Sequence, residues 1–95
     1  MPITYVNSIC KYEGLTLVPT KAAGEELEKF GYGLEDCKHI LENGYRPRKR
    51  AKDTIESWLD KGTKTYNTVV VRDYNELMQE HVWVIIHFGR FTRRK

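Results

Sequence analysis

His87, Arg90 and Arg93 are the side chains of this 95-residue chain best suited to phosphoryl chemistry. They follow the apolar run Val82-Trp83-Val84-Ile85-Ile86. An imidazole there could exchange a proton near neutral pH. The neighbouring arginines could offset charge on a phosphorane. RNA cleavage by 2′-hydroxyl attack needs a base, an acid and that compensation of charge. The competing reading of His87 is structural: a ring satisfied by a backbone carbonyl at a strand end.

A second group of cations, Arg46, Arg48, Lys49, Arg50 and Lys52, lies forty residues earlier. Together with Arg90, Arg93, Arg94 and Lys95 it holds nine of the 16 basic residues. The net charge of +3 conceals an asymmetry. Residues 1–45 carry four basic and seven acidic side chains, whereas residues 46–95 carry twelve and six. Clustered positive charge favours polyanions. Tyr45, Tyr66 and Phe91 stand near these windows, and aromatic and guanidinium faces stack on unpaired bases. Tyr66 and Arg72 share one strand parity. Facing a groove, they could stack on a base and hold a phosphate. Facing helices, Tyr66 is core and Arg72 a rim residue. The competing reading of both windows is a solvated loop and a charged tail.

Other chemistry is disfavoured. A domain this small has little room for an enclosed cofactor pocket, and no cofactor is expected. Cys37 and His39, two apart on a helix, point about 200° apart and cannot share a metal ion. Neither Ser8 nor Ser57 lies in a Gly-x-Ser-x-Gly context, and Gly31-x-Gly33 follows a helix rather than a strand. Trp58 and Trp83 read as core anchors. No apolar stretch approaches the roughly 20 residues of a membrane helix, so no membrane partner is expected. Met1-Pro2-Ile3-Thr4-Tyr5 lacks the pattern of a secretory signal. Cys10 and Cys37 read as reduced thiols, and a cytoplasmic location is expected.

The elements that must position these residues form a single domain over 1–95. Ile3–Val6 and Leu15–Val18 are predicted strands. Thr20 is a predicted N-cap, with Ala23, Leu27 and Phe30 on one helical face and Gly31 as the stop. A second helix spans 34–43, with Cys37, Ile40 and Leu41 inward and Gly44 as a C′ glycine. Asp53 and Glu56 have the spacing of a capping box, so a third short helix is expected, with Ile55, Trp58 and Leu59 as its apolar edge and Gly62 as its end. Tyr66–Tyr74 and His81–Phe88 are predicted strands, apolar on both parities and so covered on both faces over part of their length. The fold class expected is α+β: a small antiparallel sheet, two N-terminal helices packed on it, and one additional short helix before the last two strands.

The run Thr20-Lys21-Ala22-Ala23-Gly24-Glu25-Glu26-Leu27-Glu28-Lys29-Phe30-Gly31 resembles the opening helix of RelE/BrnT-like small toxin-fold domains, and Leu34–Gly44 is similar to their second helix. Ala22 stands where that family has a histidine, and Glu26 where it has an arginine. The segment 46–64 is longer than the family pattern. The resemblance implies a compact sheet whose concave face binds RNA, in some members with cleavage. It also implies an antitoxin-like protein partner. Two functional expectations follow. In one the chain is a toxin-like RNA-binding protein, acting as a metal-independent endoribonuclease. His87, Arg90 and Arg93 are then catalytic, and Arg46, Arg48, Lys49, Arg50, Lys52, Tyr66, Arg72 and Arg94 hold RNA. In the other it is a non-catalytic module that binds nucleic acid, or that meets a protein partner or a second copy of itself through the acidic helical hairpin (Glu25, Glu26, Glu28) or the Trp58 helix.

Overall fold

The computed structural model describes residues 10–92. The expected strand at Ile3–Val6 lies outside them. Seven elements follow in order: β1 (Lys11–Tyr12), β2 (Leu15–Pro19), α1 (Lys21–Phe30), α2 (Leu34–Asn43), β3 (Thr54–Lys61), β4 (Lys64–Asn75) and β5 (Glu80–Thr92). The architecture is α+β.

The helix boundaries follow from local chemistry. Thr20 Oγ1 accepts the Ala23 N–H at 3.1 Å, which satisfies one of the free donors of the first turn of α1. Gly31 ends that helix at φ 76°. Its N–H reaches Glu28 O and the Tyr32 N–H reaches Leu27 O, the paired bonds of a Schellman motif. Asp36 starts α2 by accepting the Gly33 N–H at 2.8 Å. Ala23, Leu27, Cys37, Ile40 and Leu41 are buried against Leu17, Val70, Ile85 and Phe88 of the sheet. Cys10 and Cys37 are both buried free thiols. Burial pushes the Cys37 thiol up to about 12, so it acts as a small hydrophobe.

The third helix is not formed; its residues are β3. Asp53 sits at φ 68°, whereas an N-cap needs an extended backbone, so the box with Glu56 does not close. Ile55 and Leu59 are four apart, which places them together on a strand as readily as on a helix. What decides is the partner: β3 pairs with β4 without a break from Thr54↔Val71 to Lys61↔Lys64. Gly62, at φ 64°, is the first residue of the two-residue hairpin loop.

The sheet is mixed rather than antiparallel, in the order β1-β2-β5-β4-β3. β2 runs parallel to β5, with Thr16↔Val82 to Pro19↔Ile85 in register, while the other pairs are antiparallel. Between β4 and β5, Val69 faces His87 and Val70 faces Ile85, so Ile86 is the extra residue of a bulge. Both helices pack on one face, where Val70 and Ile85 are fully buried. No described helix or strand packs on the other, outer face. Thr65, Val69 and Val82 are nevertheless buried there.

Gly44 is required for close approach rather than for a left-handed turn. Its backbone is extended, at φ −84°. A Cβ there would lie 2.6 Å from Ile40 O and 2.7 Å from Ser57 Oγ. Gly44→Ala is therefore expected to destabilise the fold by about 1–3 kcal/mol. Gly24→Ala is expected to stabilise it by about 0.5–1 kcal/mol, because α1 has open space there. Urea denaturation of the two variants checks both signs.

Candidate nucleic-acid interface

The outer face can be read in cross-strand rows. One row is Glu56, Val69 and His87; the next is Trp58, Asn67 and Gly89; the third is Asp60, Thr65 and Phe91. The Trp58 and Phe91 rings meet edge to face, with centroids 5.2 Å apart, and Tyr45 lies 6.3 Å from Trp58 on its other side. Tyr45 and Phe91 are 47% and 40% exposed, enough to offer ring surface to a ligand. Trp83 is core as expected, but Trp58 is only partly buried and belongs to this aromatic strip.

The basic segment after α2 divides its contacts. Arg46 is exposed, but its guanidinium reaches back to the end of α2. Its guanidinium donates to Ser57 Oγ at 2.9 Å, and to Tyr12 Oη and Leu41 O at 3.2 Å. It is a structural strut at the end of α2. Arg50 and Arg48 turn to the outer face, where they lie 2.9 and 3.6 Å from Glu56 Oε1. Trp58 Nε1 donates to Glu56 Oε2 at 2.8 Å. Burial alone would raise the Glu56 carboxyl. The bonds from Trp58 and Arg50 and the charge of Arg48 outweigh it and hold the group below its ordinary value. Lys49 and Lys52 form no ion pair among the described residues. They line a shallow groove with Arg48, Arg50 and Glu56.

His87 is held from its Nδ1 side. Glu26 Oε1 lies 3.4 Å from that nitrogen and also accepts the Phe88 N–H at 2.9 Å. β2 ends opposite Ile85, so the β5 edge beyond it is free among the described strands, and Glu26 reaches that edge from α1. The other ring nitrogen, Nε2, lies toward Gly89. It lies 2.9 Å from the position a Cβ on Gly89 would take, and Asn67 Oδ1 lies 2.8 Å from the same point. Asn67 Oδ1 is buried without a hydrogen-bond partner among the described residues. A histidine oriented by a carboxylate is the arrangement that general acid–base chemistry uses.

Arg90 does not join His87. Residues three apart on a strand point to opposite faces, and Arg90 is the cross-strand partner of Tyr66 on the helix side. There its guanidinium covers the Phe30 ring at 4.9 Å. Tyr66 accepts a bond from Tyr32 Oη at 3.0 Å and packs against the core. Arg72, on the same parity, is an exposed rim residue 3.8 Å from Asp53. Arg93, Arg94 and Lys95 lie outside the described residues, so of the second basic window only Arg90 is placed. Asn67 and Glu56 carry no expectation as site residues, and Glu26 and Trp58 are expected only on a surface for a protein partner or second copy. Strand alternation over 54–61 would have put Glu56 and Trp58 on one face; nothing local in α1 marks Glu26.

No three His, Cys, Asp or Glu side chains gather into a metal-binding group among the described residues. No described helix is long and apolar enough to cross a membrane. No family model matches the chain, and searches of curated proteins and of solved structures return no match.

The Glu56 cluster sets a pH dependence. A carboxyl held below its ordinary value of 4.5 contributes stability that is present above the unfolded value and lost as pH falls through the lower folded one. The urea midpoint is expected to fall on acidification from pH ~5 to ~3. Glu56→Gln should lower it at pH 7 and flatten this acid limb. An unchanged acid limb in the variant would remove Glu56 as its source.

Proposed function

We propose that the protein is a small RNA-binding protein that takes single-stranded RNA on the outer sheet face. The observation that carries this reading is the grouping on that face. An aromatic strip, partly buried Trp58 with exposed Phe91, lies alongside the row that joins the Glu56-bound cations to the Glu26–His87 pair. Glu56 and His87 are two strands apart in one row, about 10 Å. A strand of RNA laid across the sheet would stack bases on the rings and place phosphates at Arg48, Lys49, Arg50 and Lys52. The resemblance of the two helices to RelE/BrnT-like domains points to the same ligand.

His87 supplies the reactive step in this reading. Nε2 removes the proton of a 2′-hydroxyl, O2′ attacks the adjacent phosphorus, and O5′ leaves. A 2′,3′-cyclic phosphate and, after O5′ takes a proton from water, a 5′-hydroxyl end result. The reaction is a general-base cleavage that needs no metal, and Glu26 acts as a positioning residue. The β4–β5 hairpin tip favours a second role alongside it. Leu77 is 97% exposed and Met78 and Tyr74 are exposed beside it, an apolar tip suited to an antitoxin-like protein or a second copy of the chain.

Fluorescence anisotropy with a labelled single-stranded RNA tests binding. Affinity should fall with salt, and Arg48→Ala and Arg50→Ala should each reduce the log–log slope by about 0.7. Phe91→Ala, at an exposed ring, should weaken binding by about 1–3 kcal/mol. Cyclic-phosphate ends should form with wild type and drop about 10²–10⁴-fold in His87→Ala. Binding indifferent to both salt and Phe91 would sink the RNA reading. Cleavage unchanged in His87→Ala would remove its catalytic part.

A further inference from the structure

Arg90 and Tyr66, which the outer face leaves aside, belong to a second cluster on the helix side. Tyr66 meets Tyr32 from the α1–α2 turn, His39 of α2 and Lys61 of β3 around a cleft of about 40 Å³, and Arg90, its cross-strand partner, stands beside it outside the lining. Its floor is apolar: Ile40 and Phe88 are buried beneath it. Tyr32 stands edge-on to Tyr66, with ring centroids 5.4 Å apart.

The polar groups of this cleft are donors. Tyr32 donates to Tyr66 at 3.0 Å, which leaves the Tyr66 hydroxyl proton free. Asn43 Nδ2 donates to His39 O at 3.1 Å, so the amide orientation is fixed. The same nitrogen lies 3.1 Å from His39 Nδ1. Nδ1 is therefore the acceptor, and Nε2 carries the proton. Lys61 adds an ammonium group, and Arg90 a guanidinium stacked on Phe30. The one carboxylate in the lining, Asp36, is already bonded through Oδ2 to the Gly33 N–H. The Tyr66 phenol reports the resulting field. The bond from Tyr32, then Arg90 and Lys61, outweigh desolvation and hold it below its ordinary value.

We propose that this cleft is a binding site for a phosphomonoester or free phosphate. Three donor side chains line it, Tyr66, His39 and Lys61, and with the Arg90 charge beside Tyr66 they match a dianion with three or four oxygens better than a carboxylate with two. The site is independent of RNA binding on the outer face. Two sources share this chemistry: inorganic phosphate, and the terminal phosphate of a nucleotide strand.

Two-dimensional NMR of the full chain, titrated with inorganic phosphate, tests it. Saturable shifts are expected at His39, Lys61 and Tyr66. Tyr66→Phe keeps the ring and removes one donor, and should weaken binding severalfold. Lys61→Ala and Arg90→Ala should each weaken it about tenfold or more. Lys21→Ala removes the same charge from the far end of α1 and should change nothing. A 5′-phosphorylated RNA that competes with phosphate better than its 5′-hydroxyl twin identifies a strand end as the source. Equal competition by the two identifies free phosphate. Shifts that stay linear, that respond equally to Lys21→Ala, or that acetate reproduces at the same concentration would overturn the proposal.

Discussion

The structure depends on how α2 ends. The last carbonyls of a helix have no partner within it and must find one elsewhere. Here the Gly44 N–H and Ser57 Oγ both reach Ile40 O, at 2.8 and 2.7 Å, and Arg46 reaches Leu41 O. Gly44 lacks a side chain, so β3 can come close enough for Ser57 to do this. Arg46 then bonds Ser57 and Tyr12, joining β1, α2 and β3 through one guanidinium. A cation is also the charge that a helix C-terminus favours. Losing it would leave a hydroxyl and a carbonyl short of a partner, at about 1–3 kcal/mol.

This junction fixes the parity of β3 and with it the chemistry of both faces. With Ser57 inward, Glu56 and Trp58 must point outward. Glu56 then draws Arg48 and Arg50 to the outer face and orients the Trp58 indole. β4 carries the parity across to β5 with one change, the bulge at Ile86. The bulge allows Ile85 to stay in the core while His87 reaches the outer face beside Glu26. Arg90 returns to the helix side. One sheet thus separates Arg48 and Arg50 on its outer face from Arg90 on its helix side, each beside its own aromatic rings.

Features written in short-range chemistry were legible in the sequence. Thr20, Gly31 and Asp36 each act within one helical turn, and the strand at Leu15–Val18 was marked by its composition. β3 was not legible, because Ile55 and Leu59 satisfy both periods and a hairpin with β4 decided between them. The parallel pairing of β2 with β5 joins segments some 66 residues apart and leaves no local mark. At the site, His87 stood out by type and position. Its partner Glu26 lies 61 residues away on a helix whose other acids are exposed. The split between His87 and Arg90 was open to prediction, since their spacing alone forbids a shared strand face.

The opposed halves of the chain also look different once partners are assigned. Of the five cations between Arg46 and Lys52, Arg46 is tied to the end of α2 by three hydrogen bonds, and Arg48 and Arg50 share one carboxylate. The field that a polyanion meets on the outer face is therefore weaker than the count of basic residues suggests. A ligand held there would draw heavily on ring surface, which salt does not screen. The helix-side cleft is the reverse case. Its cations are few, but its one carboxylate, Asp36, is bonded at a helix start and its floor is apolar. A small anion there would meet its donors over an apolar floor, where each contact counts for more than in open solvent.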